Sequence, residues 1–280
     1  MKLSRKIVFT YLRIRLQLTA LVSPQKAAQK AFTLFCTPRR STQQTPSAII
    51  KKAELISFNM NNLAIHGYRW NHPSPKKILI AHGFESAAGN FDGFVQPLIN
   101  KGYEIIAFDA PGHGRSDGRE ITLPVYVQTL QYIVSEYGPF NAYIAHSFGG
   151  LAIAHLLETV AHDEQTRVVL IAPATETTTA INGFFHLLHL NGNLRAAFDR
   201  LARDKTGVSP EELSIRRAVQ NINARILWLH DDQDDITPYR DAEKVKNDRH
   251  SNIQFIISSG LGHRKIYRDK HTLNHILHFL

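Results

Sequence analysis

Apolar and polar positions change rhythm twice along the 280 residues of the chain. In the first stretch Ile7, Tyr11, Ile14, Leu18 and Leu21 recur at helical spacing, with Arg13, Arg15 and Gln17 between them. That predicts an amphipathic helix over residues 1–22. The run SPQKAAQKAFTLF predicts a second, shorter helix, and CTPRRSTQQTPSA behind it reads as a polar linker. From Ile49 the period becomes two. IIKKAELISFN and LAIHGYRWN, separated by MNN, alternate as an antiparallel hairpin at a sheet edge does.

The second change is to short runs that are apolar on both faces: KILIAHG (77–83), EIIAFDA (104–110), AYIAHS (142–147), RVVLIAPA (167–174), RILWLHD (225–231) and IQFIISS (253–259). Strands of this kind lie in a parallel sheet covered by helices on each side. Helical segments separate them. In one, Val127, Leu130, Val134 and Tyr137 form the expected buried stripe, Thr122 stands at the N-cap, Pro124 in the first turn and Gly138 at the end. The expectation is an α/β domain with a mostly parallel eight-stranded sheet, its core formed by 49–174 and 223–280. Residues 175–222 are too long for a simple crossover. AINGFFHLLHL, NLRAAFDRLARD and SPEELSIRRAVQ predict three helices there, an insertion after the sixth strand that reads as a lid. Residues 1–48 form a basic helical arm and linker.

Charge sharpens this division. The net charge of +9 comes from 33 Lys and Arg against 24 Asp and Glu. Eleven of the basic residues, and no acidic one, fall within residues 1–53. The remaining 22 basic and 24 acidic residues nearly cancel, so the body offers no nucleic-acid surface. Arg13 and Arg15 interrupt any run long enough to span a bilayer. A basic amphipathic helix at 1–22 suits peripheral contact with an anionic membrane; the preferred expectation is that its stripe docks on its own domain. Cys36 is the sole cysteine, which excludes an intramolecular disulfide and suits a reducing, cytoplasmic setting, with membrane association through the arm as the variant of that reading.

The candidate chemistry centres on NAYIAHSFGG, residues 141–150, where one serine stands between a strand and a helix. This is the context of a G-x-S-x-G elbow, with Ala145 at the first small position and Gly149 at the second. A serine hydroxyl needs a base within hydrogen-bond reach and a third group to orient that base. RILWLHDDQDDITP ends one later strand in four acidic residues, and IQFIISSGLGHRK ends the next in Gly262-His263. His263 is the candidate base and Asp234 the preferred acid, with Asp232 and Asp235 as alternatives. Two backbone N–H groups are needed for the oxyanion. Phe148, after the serine, is one candidate donor, and Phe84, in the loop AHGFES after the first parallel strand, is the other.

The motifs HGFES, FDAPGHGRSDGR, AHSFGG, HDDQDDITP and GLGHR occur in the order of the α/β-hydrolase superfamily, which the chain resembles over roughly residues 50–280. GHGRSDGR is most similar to the branch of monoacylglycerol lipases and lysophospholipases. The resemblance implies the α/β-hydrolase fold, Ser147 as nucleophile, Asp234 as acid, His263 as base, and Phe84 and Phe148 as oxyanion donors. Where the family commonly has a glycine before the acid loop, this chain has Asp231. In FDAPGHGRSDGR, Asp109 or His113 is expected to hydrogen-bond backbone.

These readings converge on a serine hydrolase that takes a small-molecule ester or acyl substrate. Phe184, Phe185 and Leu188 of the insertion are candidate lining for an acyl pocket, which would favour a lipid-like or medium-chain ester. A thioesterase, amidase or carbon–carbon bond hydrolase would use the same three side chains. A non-catalytic ligand-binding protein on this fold is the reading from another class. No cofactor is expected, since no glycine-rich phosphate loop of either common type occurs. No metal is expected either, because the pair His186 and His189 and the set His271, His275 and His278 lack a carboxylate or cysteine at ligand spacing.

Overall fold

The computed structural model describes residues 3–39, 47–190 and 192–280. The middle of the expected polar linker, residues 40–46, lies outside them. Contacts divide the chain into two units, one made of Pro38–Thr175 with Ile215–Leu280, the other of residues up to Thr37 with Glu176–Ser214.

The first unit is built on eight strands: β1 (Glu54–Met60), β2 (Leu63–Trp70), β3 (Lys76–Ala81), β4 (Tyr103–Phe108), β5 (Ala142–His146), β6 (Arg167–Ile171), β7 (Arg225–Asp231) and β8 (Ile253–Ser258). Their order across the sheet is β1-β2-β4-β3-β5-β6-β7-β8. β1 pairs antiparallel with β2, and β2 with β4; every later pair is parallel. The continuous apolar runs have the cause expected of them, since β4 and β5 are buried along their whole length. One core cluster combines Ile78, Ile80, Ile105 and Ile144 with Phe91 and Leu98.

Three local expectations are corrected. The hairpin begins later than the alternation suggests, because Ala48–Lys51 forms a helical turn that buries Ile50. The helix Leu123–Tyr137 follows Thr122 and stops at Gly138, but the residues it buries are Leu123, Tyr126, Thr129, Leu130 and Ile133. Its apolar arc is wide, so Val127, Val134 and Tyr137 fall on the flank and are only half-buried. The third helix of the insertion shortens to Ile215–Ala218 with a following 3-10 turn. Its expected first turns are spent otherwise: Glu212 accepts from the Ser209 N–H at 3.0 Å, and Ser214 forms an antiparallel bridge with Glu176.

The helical unit contains Leu3–Val22, Pro24–Cys36, Thr177–Leu187 and Gly192–Thr206. Ser23 caps the second helix, accepting from the Lys26 N–H at 3.2 Å, with Pro24 in the first turn. Ala27, Ala28 and Ala31 let that helix approach closely. The rings of Phe32 and Phe185 lie 5.7 Å and 5.3 Å from that of Phe198, which is fully buried. The arm and the insertion therefore share one core. The arm docks, but not by its predicted stripe. Leu16 is buried with Phe9 and Leu12 packed beside it, whereas Ile7, Tyr11, Ile14, Leu18 and Leu21 face outward. The helix carries apolar residues on two sides, and periodicity had selected the exposed one. No described helix is long and apolar enough to cross a membrane.

Candidate active site

Ser147 follows β5 directly and has φ 55°, ψ −122°, in the left-handed half of the map that a non-glycine residue enters at a cost of about 1–3 kcal/mol. Neighbouring backbone holds it there. Its N–H donates to the Ile171 carbonyl at 3.1 Å, and its carbonyl accepts from Gly150 at 2.9 Å and Ala174 at 3.0 Å. The helix Phe148–Leu157 begins at the next residue, so the positive end of its dipole lies at the serine. A Cβ on Gly149 would stand 2.6 Å from the His82 carbonyl oxygen, and Ala145 is completely buried on β5 between β3 and β6.

The expected partners meet at this turn. Ser147 Oγ lies 3.0 Å from His263 Nε2, and His263 Nδ1 lies 2.8 Å from Asp234 Oδ2. With Asp234 ionised, Nδ1 carries the proton and donates to the carboxylate, which leaves Nε2 to accept from the serine hydroxyl. All three residues are buried. Burial alone would raise the Asp234 pKa. The hydrogen bond and charge of His263, with the N–H groups of Thr237 and Ile236, outweigh it and hold the carboxyl below the usual range. Those N–H groups donate to Oδ1 at 2.8 Å and 2.9 Å. The Thr237 hydroxyl braces the pair, 2.9 Å from Asp234 Oδ2 and 3.1 Å from the Ala172 carbonyl.

The alternative acids are elsewhere: Asp232 and Asp235 are exposed. Asp231 is fully buried and accepts from Ser258 Oγ at 2.7 Å and from the Leu261 N–H at 3.0 Å. It thereby ties the loop that carries the acid to the loop that carries His263. Nothing in the sequence distinguished this role from that of a solvated loop acid.

Phe148 and Phe84 both border the serine. Gly83 passes so near that a Cβ on it would be 2.8 Å from Ser147 Cβ, which brings the main chain at Phe84 to the nucleophile. The two phenyl rings stand edge to face with centroids 6.1 Å apart. Phe185 and Leu188 have another place, filling the core of the helical unit, and Phe184 is half-buried against the same cluster. A side chain that fills a helix–helix interface is not free to line a pocket.

Three buried histidines hold the loops around the site; the backbone bonding expected of His113 is found, whereas sequence reasoning assigns no such role to His82 and His146. His82 Nδ1–H donates to the Gly83 carbonyl at 2.8 Å, while Nε2 accepts from the Ala110 N–H at 2.9 Å. His113 Nδ1–H donates to the Pro111 carbonyl at 3.0 Å, and its Nε2 accepts from the Glu85 N–H at 3.2 Å. His146 Nε2 donates to the main-chain carbonyl of His263 at 3.0 Å. Burial pushes His82 down to about 4, and burial aided by a neighbouring histidine pushes His113 and His146 down to about 3. All three are therefore neutral near pH 7, and in His82 and His113 the ring pairs one donor with one acceptor, as a neutral imidazole must. Asp109 also serves backbone, accepting from Ala88 at 2.8 Å and Arg115 at 3.0 Å. The only legible signal for these roles was the clustering of His and Asp with Gly in AHGFES and FDAPGHG.

A cavity of about 830 Å³ elsewhere in the sheet unit is lined by residues that include Tyr68, Phe94, Arg115, Tyr267 and Leu273, and by none of Ser147, Asp234 and His263. Among the described residues no group of three or more His, Cys, Asp or Glu is placed to hold a metal ion.

The serine aminopeptidase S33 family profile matches residues 72–207. A serine hydrolase-like protein of Danio rerio is 24% identical over 187 residues, covering 65% of this chain and 56% of its own length. A lysophosphatidylserine lipase of the same organism is 26% identical over 230 residues, covering 76% of this chain and 59% of its own. The chain spans about half the length of the curated relatives it matches. A solved esterase of Pyrococcus furiosus superposes with a TM-score of 0.65 at 17% identity, covering 88% of this chain and 96% of the esterase. Sheet order, a serine at the strand-to-helix turn and these similarities agree on the α/β-hydrolase fold.

Proposed function

We propose that the protein hydrolyses carboxylic esters through an acyl-enzyme on Ser147. The observation that carries this reading is the unbroken chain from Ser147 Oγ through the His263 ring to Asp234, with contacts of 3.0 Å and 2.8 Å. In the first step His263 Nε2 takes the hydroxyl proton as Oγ bonds to the ester carbonyl carbon. The oxyanion that forms is held by the N–H groups of Phe84 and Phe148, each worth roughly 10²–10³ in rate. His263 then passes the proton to the departing alkoxide as the ester bond breaks. In the second step it deprotonates a water that attacks the acyl carbon, and Ser147 is released with the carboxylic acid. Asp234 stays ionised throughout and stabilises the imidazolium.

A lipid-like or medium-chain acyl group is the proposed substrate class. Two observations support it: the rings of Phe84, Phe148 and Tyr126 cluster beside the serine, with Tyr126 and Phe148 centroids 5.6 Å apart, and one relative is a lysophosphatidylserine lipase. The test is labelling by a fluorophosphonate together with hydrolysis of p-nitrophenyl esters of rising chain length, on the wild type and on Ser147→Ala. Serine-dependent labelling with a rate that peaks beyond acetate is expected. Well-folded protein that neither labels nor turns over would overturn the hydrolase reading, and rates that fall steadily beyond acetate would overturn the acyl-chain reading alone.

A further inference from the structure

The outward face of the helix Leu3–Val22 is apolar and basic at once. Ile7, Tyr11, Ile14, Leu18 and Leu21 are 62%, 60%, 48%, 59% and 82% exposed. At 3.6 residues per turn they occupy an arc of roughly 100°. Arg15 borders that arc on one side and Thr10 on the other; exposed Arg13 lies further round, beyond Gln17, whose amide donates to the His189 carbonyl at 3.1 Å. The opposite side of the helix is already occupied, since Leu16 is buried in the core shared with the inserted helices. Isolated exposed apolar residues are ordinary, but a contiguous stripe of five on one helix marks a surface that is covered in use.

We propose that this stripe docks on an anionic lipid surface, with the helix lying in the plane of the headgroups. Charge selects that occupant. No acidic residue occurs before Glu54, so a second copy apposed on the same face would bring two basic flanks together with no carboxylate on either arm to pair them. An anionic bilayer supplies both things the face lacks, an apolar layer for the stripe and negative charge for its borders. The helix cannot span, because its arginines leave no sufficiently apolar run. Since it shares a core with Thr177–Leu187 and Gly192–Thr206, the docked helix would bring the inserted unit to the bilayer with it.

The test is co-sedimentation of the full chain with vesicles of phosphatidylcholine alone or of phosphatidylcholine with phosphatidylserine. Binding to the anionic vesicles that weakens with added salt is expected. Ile14→Glu with Leu18→Glu should lower the partition coefficient by at least about tenfold, and Arg13→Gln with Arg15→Gln by about fivefold for each charge removed. Neither pair belongs to a buried core, so circular dichroism and the melting temperature should stay unchanged. Should the glutamate pair disturb folding, the arginine pair carries the comparison. Equal partition of wild type and variants, or equal binding to neutral and anionic vesicles, overturns the proposal. So does a wild type that ignores vesicles but forms a dimer on gel filtration that the glutamate pair dissociates, since the occupant is then a second copy.

Discussion

The buried side chains in the loops around Ser147 and in the core of the helical unit are specified in opposite ways. At the loops each buried polar side chain has a named partner. Asp231 holds Leu261, His146 holds His263, and His113 holds Glu85. Remove one and its partner is left buried and unsatisfied. The helical core is mostly phenyl rings, leucines and alanines, with Ile181 and Cys36, and its apolar side chains need only fill volume. Directional bonds fix positions to fractions of an ångström, as acyl transfer requires, whereas volume filling holds helices together and tolerates exchange.

The widest separation of the two regions should come from Ser147→Ala, which removes about 10⁵-fold or more of the proposed ester hydrolysis and leaves the melting temperature nearly unchanged. Steady-state kinetics beside calorimetry read both. The opposite pattern is expected of Phe198→Ala, which empties the centre of the helical core. It should destabilise by about 3–5 kcal/mol in chemical denaturation while fluorophosphonate labelling of the folded fraction persists. Loss of labelling in step with loss of that core would show that volume filling and catalysis are not separable in this chain.

Acid should act on the loops first. His82, His113 and His146 titrate below the 6.5 of an ordinary histidine when folded. Their contribution to stability is therefore complete above about pH 6.5 and is lost as pH falls toward 4 and 3. By pH 5 the loss should reach about 2 kcal/mol for each ring, and His146→Gln should flatten the dependence. Thermal melts between pH 7 and pH 5 measure it, and a parallel shift in His146→Gln would assign the acid sensitivity to other groups. The smallest effect sharpens the choice among carboxylates. Asp232→Asn and Asp235→Asn should each change the hydrolysis rate by less than about twofold, against roughly 10⁴-fold for Asp234→Asn.

Legibility in the sequence followed the same division. Two-sided burial writes itself as continuous apolar runs, so the six parallel strands were readable to within a few residues at each end. The serine turn, the histidine after β8 and the acid loop after β7 were readable because each sits at a strand terminus beside small or acidic residues. Asp231 and His146 were not, because their hydrogen-bond partners lie 30 and 117 residues away. The N-terminal helix misled for a different reason. With apolar residues on both sides, its period reports a helix but not which side meets a neighbour, and the choice fell to the close packing available to Phe9, Leu12 and Leu16.

The crossing at Thr175 and Ile215 has a consequence for how this chain can vary. The Ile215 N–H donates to the Thr175 carbonyl at 2.8 Å, and Thr177 N–H to the Leu213 carbonyl at 3.2 Å, so the inserted segment leaves the sheet unit and returns to it at a single point. Closing a loop whose ends already touch costs little more when the loop is long than when it is short. Segment 176–214 is therefore closed in the manner of a cassette, whose ends do not fix its length. Exchanging it carries one condition. The helix Pro24–Cys36 packs its alanines against the cassette's own residues, so the first 37 residues must be exchanged along with it.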